Sequence, residues 1–155
     1  MNLSLAIRGL SRTKKITIGL SVLVLAISLT QPAFYIDRED YDAWANSLVL
    51  FFFGWSFILG GSFESLIWWA NPIYLFALFL FIKNNKLSIL VSFLALIIAI
   101  RFSFFDNIMT SESGSSSKIT SLEPGYKLWV LNFSIFFIGT IVDTIVEFRK
   151  QKIVT

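Results

Sequence analysis

The sequence predicts an all-α fold: an integral membrane four-helix bundle with an additional short re-entrant or interfacial helix on the outer side. Three observations carry this prediction. Of 155 residues, 55% are hydrophobic and the mean hydropathy is +0.73, against roughly 45–50% apolar residues in ordinary globular chains. Four long apolar stretches, at about residues 16–33, 68–82, 87–105 and 128–148, read as crossings of a hydrocarbon core about 30 Å thick, which takes roughly 20 helical residues. The charged residues also separate by sign between alternate connections, as basic residues do when short loops are held on the cytoplasmic side.

Composition removes whole classes of function. The chain has no cysteine and no histidine, which excludes disulfides, thiolate nucleophiles, zinc or haem held by those side chains, and imidazole general bases. No phosphate-binding glycine loop, nucleophile motif or pair of outer carboxylates at a recognisable spacing is present, so the chain reads as no enzyme, with no cofactor and no metal. The net charge of +3 is an expression of membrane topology and implies no nucleic-acid partner.

The first span, residues 16–33, follows Arg8, Arg12, Lys14 and Lys15 with no acidic residue between them. A basic flank before an apolar core also describes a secretory signal peptide, and Ala26-Ile27-Ser28 is a passable small-x-small cleavage pattern. The longer core, and the placing of Thr17, Ser21, Ser28 and Gln31 near one helical face, favour an uncleaved signal anchor. Next comes LVLFFFGWSFIL, residues 48–59. Twelve helical residues reach only about 18 Å, too short to cross. Trp44, Leu48, Phe51, Trp55 and Ile58 recur at helical spacing, so residues 44–59 read as a short helix in the outer leaflet.

The second span, 68–82, begins in IWWANPIY and ends at the basic KNNK, residues 83–86. Here Asn71 can cap the helix start, and Pro72 is tolerated in the first turn, where its missing N–H has no intrahelical partner. The third span, 87–105, carries a stripe of Ser88, Ser92, Ala95, Ala99 and Ser103. Small residues of this kind let helices pack closely where lipid supplies no hydrophobic drive. Residues 106–124, with the serine-rich SESGSSS, read as a flexible outer loop, and EPGY (123–126) as a turn into the last helix. That last span, 128–148, has Asn132, Gly139 and Asp143 close to the helical repeat and ends in FRKQK.

Counting charge chooses the topology. With four spans and both termini in the cytoplasm, the inner side holds nine of the 13 basic residues and the outer side eight of the 10 acidic ones. If residues 48–59 crossed as a fifth span, the basic residues would divide nearly evenly. The four-span arrangement also gathers all five tryptophans and all four tyrosines on or near the outer face. Two causes fit: the short helix packs there against the helix ends, or an outward-facing groove holds a lipid, a glycan or a partner helix.

The candidate outer binding surface is Trp55, Glu64, Trp68, Trp69, Asn71, Tyr74, Arg101, Trp129 and Asn132. Within it, Glu64, Asn71 and Arg101 could present a polar patch to a zwitterionic or glycan headgroup. Arg101 lies 14 residues into its span, about 21 Å up. From there it either snorkels to headgroup phosphates or Asp106 or meets Asn132 at similar depth. A candidate inner pair, Asp143 and Glu147, shares a helix face. It suits a cation or a proton relay, or else it meets Lys83, Lys86 or Arg149 at the cytoplasmic interface.

QPAFY (31–35), GWSFILGG (54–61), WWANP (68–72) and GYKLW (125–129), in this order, resemble a loose group of small four-span bacterial inner-membrane proteins with W-x-ANP and GYxLW motifs. The resemblance implies a bacterial inner-membrane location and transfers no functional residue, since the group has no established activity. Lys127 departs from it, standing where a bulky apolar or aromatic residue is usual. The leading expectation is a non-enzymatic multi-pass protein that binds a partner protein or lipid-linked ligand through the outer aromatic surface, either a larger membrane complex or a second copy of itself. The alternatives are a small transporter or channel subunit with Arg101 and Asp143 on the solute path, and an immunity protein against a membrane-active toxin.

Overall fold

The computed structural model describes residues 10–37, 46–56, 63–109 and 115–154, 75% of them helical. The helices are α1 (Arg12–Ser28), α2 (Ser47–Phe53), α3 (Ala70–Ile82), α4 (Leu87–Arg101) and α5 (Pro124–Val154), and a 3₁₀ segment, Phe63–Trp69, runs directly into α3. Three helical stretches, Ser65–Ile82, Leu87–Phe104 and Pro124–Lys152, are long and apolar enough to cross a membrane. The shorter α1 has 17 residues, about 25 Å of helix.

Boundaries move where caps and turns decide them. α1 starts at Arg12 because the Ser11 side chain accepts the Lys14 backbone N–H, a stronger start signal than the first apolar residue. It stops at Ser28, ahead of Gln31-Pro32. Likewise Asn46 accepts from the N–H groups of Leu48 and Val49 and starts α2 at Ser47, with a 3₁₀ turn continuing to Ser56. Trp44 and residues 57–59 of the expected 44–59 helix lie outside the described residues. Asn71 caps nothing: the 3₁₀ segment carries the chain into α3 without a side-chain cap. At the α3–α4 turn Asn84 adopts a left-handed φ of 59°, which asparagine tolerates better than most residues.

The all-α expectation needs a correction. Strands β1 (Phe34–Ile36), β2 (Asn107–Met109) and β3 (Ser116–Leu122) form an antiparallel sheet in the order β1-β3-β2, and two of them arise from the segment expected to be a flexible loop. Phe34 pairs with Leu122 and Asn107 with Lys118. The physical reason is burial. Phe34, Ile36, Ile108 and Ser117 turn inward, while the exposed face keeps Ser116 and Lys118, which look loop-like in sequence. Residues 110–114, most of SESGSSS, lie outside the described residues.

The helices neighbour one another in the cycle α1–α5–α4–α3, with α1 and α3 meeting only lightly. Four of the five stripe residues do what close packing requires: Ser88, Ser92, Ala95 and Ala99 are buried on α4, while Ser103 lies in the 3₁₀ turn after the helix and is exposed. On α5, a Cβ at Gly139 would overlap the Thr17 side chain, so the glycine lets α1 lie directly on α5. The bundle thus has two ends. At the hairpin end sit the start of α1, the α3–α4 turn and the end of α5; at the sheet end sit the strands and α2.

Candidate functional site

The interior polar groups of the described residues fall at three levels. At the hairpin end Lys14, only 2% exposed, lies among groups from three elements. Its ammonium pairs with Asp143 at 3.4 Å and Glu147 at 3.7 Å, donates to Asn84 Oδ1 and stands 5.2 Å from the centroid of the Phe81 ring. Ser11 donates to the other Asp143 oxygen at 2.8 Å. Carboxylates, an amide oxygen and a ring face thus stand around the ammonium in place of water. Asp143 and Glu147 therefore share a face as expected, but the cation between them is Lys14 of α1 rather than Lys83, Lys86 or Arg149. Lys83 and Lys86 instead lie over the rings of Phe79 and Phe148.

Near the middle, Ser21 donates to Asn132 Oδ1 at 2.5 Å and lies 2.7 Å from the Tyr74 hydroxyl. About two turns nearer the hairpin end along α5, Ser92 and Thr140 approach at 3.4 Å. Asn132 Nδ2 is fully enclosed and is the one buried side-chain polar atom among the described residues without a partner.

The sheet end is closed by rings. Trp129 donates to Asn71 Oδ1 at 2.8 Å, and Trp68 lies 5.6 Å from Trp129 and 5.4 Å from Phe102, centroid to centroid. Tyr126 donates to the Ala99 carbonyl at 3.1 Å. The cavity between Ser28, Ser47, Asn71, Gly125 and these rings measures about 10 Å³, about the space of one water.

The nine-residue surface expected from sequence is therefore divided. Trp68, Asn71, Tyr74, Trp129 and Asn132 are buried and fill the interior, which corrects their placement on a surface: Trp68 packs on Trp129, Trp129 on Phe133 and Tyr74 on Phe133 and Phe136, ring pairs that add to the burial of apolar area. Trp55 and Trp69 remain 42% and 40% exposed, edge to face at 6.2 Å, beside the exposed Phe52 and Phe53. Arg101 is exposed and holds its guanidinium 5.8 Å and 5.7 Å from the rings of Phe104 and Phe105, away from Asn132. The Glu64 side chain lies outside the described residues, so the patch of Glu64, Asn71 and Arg101 reduces to a buried amide and a separate exposed cation.

Sequence reasoning missed Ser11, Lys14 and Asn84. The signal for Lys14 was available: it extends the buried face Thr17, Ser21, Leu25, Ser28 of α1 by one more step of three, but it reads as one more flanking charge. No family model, curated protein or solved structure matches the chain.

Proposed function

We propose that the chain is a multi-pass protein of a bacterial inner membrane, crossing four times with both termini in the cytoplasm, that binds a membrane-protein partner through its outer end without catalysing a reaction. What supports a fourth crossing is that α1 follows α5 for its whole length. Ser28 bonds to the Gly125 carbonyl, Ser21 to Asn132, and Lys14 and Ser11 to Asp143, and Thr17 meets Gly139 between the last two levels. Orientation follows from the basic residues Lys14, Lys15, Lys83, Lys86, Arg149, Lys150 and Lys152 at the hairpin end, and the bacterial inner membrane from the motif resemblance.

The observation that carries partner binding is the exposed edge-to-face pair Trp55–Trp69 beside Phe52 and Phe53. Rings of this kind anchor interfaces, and here they remain uncovered where neighbouring rings are buried. A photo-crosslinking residue at Trp55 or Trp69, activated in native membranes, should give a discrete protein adduct, and the same residue at the lipid-facing Ile97 should give none. Lipid adducts alone at all three positions would reduce the pair to an interfacial belt and refute the reading.

A second reading has its own observation. A lysine and a carboxylate buried together inside a bundle are costly unless used, and a small transporter would use the Lys14–Asp143 pair as its ion-coupled switch. It predicts that Glu147→Gln, which spares the buried pair, changes ion flux in vesicles; unchanged flux removes it.

A further inference from the structure

Between α4 and α5, on the surface at the hairpin end, runs a groove of about 480 Å³ lined by Lys86, Leu87, Ile89, Leu90, Phe93 and Phe137. Its volume lies within the ~300–1,000 Å³ of sites that hold a small ligand. Phe93 and Phe137 pack against each other at 5.2 Å, and Leu87 and Leu90 stand exposed. Lys86 is the polar member of the lining, and its ammonium lies 5.0 Å from the centroid of the Phe148 ring. Phe148 and Lys152 are four residues apart on α5 and so share a face, which brings a second exposed cation to the same end. Among the described residues neither lysine forms an ion pair. The carboxylates of that end, Asp143 and Glu147, are taken by Lys14.

An apolar groove with Lys86 in its lining and Lys152 at the same end, neither ion-paired among the described residues, is complementary to one class of molecule, an amphiphile with an anionic head. We propose that this groove is a binding site for an anionic phospholipid, an acyl chain lying along Leu90, Phe93 and Phe137 and the phosphate held by Lys86 and Lys152. A zwitterionic lipid fits less well, because its own cation meets the lysines. Free phosphate has the charge but nothing to fill the groove. The site rests on the membrane reading above and lies at the opposite end of the molecule from Trp55 and Trp69.

The test uses the full chain in mild detergent, offered phosphatidylglycerol or phosphatidylcholine, with retained lipid counted by native mass spectrometry. Phosphatidylglycerol should be retained preferentially, with Lys86→Gln and Lys152→Gln each lowering its retention about five-fold. Leu90→Trp should lower it by filling the groove with both lysines intact, and Lys118→Gln, at the sheet end, should leave it unchanged. Millimolar inorganic phosphate should not displace the lipid. Lys86, Lys152 and Leu90 are exposed, so these variants keep the core, which the thermal midpoint checks. Equal retention of the two lipids, indifference to both lysine changes, or displacement by phosphate overturns the proposal. Extraction of the chain from membranes by alkaline carbonate is the separate result that would overturn the membrane reading. A chain that resists carbonate but ignores lipid charge overturns only the groove.

Discussion

Replacing Lys14 by methionine keeps most of the side-chain volume and removes the charge. Asp143, whose side chain is 4% exposed, then keeps only the Ser11 hydroxyl at 2.8 Å as a polar partner. Removing one member of a buried pair costs about 3–5 kcal/mol, because the survivor is left charged and dry. Lys14→Met should therefore lower unfolding free energy by about 3 kcal/mol or more. Glu147 gives the internal contrast: its side chain is 46% exposed, so Glu147→Gln should cost no more than about 1 kcal/mol, as exposed ion pairs do. The double variant Lys14→Met/Asp143→Leu removes both charges and should recover most of the loss, because an apolar pair of similar volume in place of a buried ion pair is often neutral. Denaturant titration in mixed micelles, followed by tryptophan fluorescence, is run on the purified wild type, on Glu147→Gln, on the single variants Lys14→Met and Asp143→Leu, and on the double variant, which closes the cycle. A coupling energy near zero, with the two single losses simply adding, would falsify the claim that Lys14 and Asp143 are held by each other.

Other residues give independent checks. Gly139→Val puts a branched side chain into the space of Thr17 and should destabilise by about 1–3 kcal/mol; Thr17→Ala in the same chain should restore part of it, and failure to do so would locate the clash elsewhere. Trp129→Phe preserves the ring packing but removes the donor to Asn71, leaving a buried acceptor unsatisfied at a cost of about 1–3 kcal/mol; a loss below 0.5 kcal/mol on the same titration, well under the ~1 kcal/mol minimum, would mean water takes the place of the indole N–H. Single cysteines at Ser115 and Asn85, both exposed, should react with an impermeant reagent from opposite sides of the membrane, Ser115 from outside. Labelling of both from one side would remove the four-crossing topology.

Long elements were legible in the sequence, because length and hydropathy are properties of whole segments. The three apolar helices lie close to where they were expected, and the stripe from Ser88 to Ala99 faces the interior as its spacing demands. Features that depend on contacts between distant residues were not legible. Ile119, Ser121 and Leu122 look like part of a loop until the strand Phe34–Ile36, more than 80 residues earlier, pairs with them. For Asn71, position alone suggests a helix cap; its actual use is fixed by Trp129, on another helix. Lys14 illustrates the same limit most sharply. Its charge reads as an exposed flank and its spacing as a buried face, and only the position of Asp143 shows how a charge can occupy that face.

The distribution of polar groups in the bundle also explains why α1 differs from the other helices. In lipid, an apolar helix gains little by exchanging lipid neighbours for helix neighbours, so association needs close backbone approach or hydrogen bonds. The α3–α4 pair is bound together by a turn of only four residues, 83–86. α1 has no such turn: it is joined to the rest through a long connection, and its partner α5 is the last helix in the chain. Its buried face is accordingly Lys14, Thr17, Ser21, Leu25 and Ser28, four polar residues and one leucine. All four polar residues meet α5, three through a hydrogen bond or an ion pair and Thr17 by fitting against Gly139. A face of that kind is poorly satisfied by lipid and well satisfied by one partner in one register, since a shift of one residue would carry Lys14 away from Asp143 and Thr17 away from Gly139. The polar seam thus specifies which helix α1 joins, while the aromatic packing at the sheet end, with Phe34, Trp68 and Trp129, holds the far end closed.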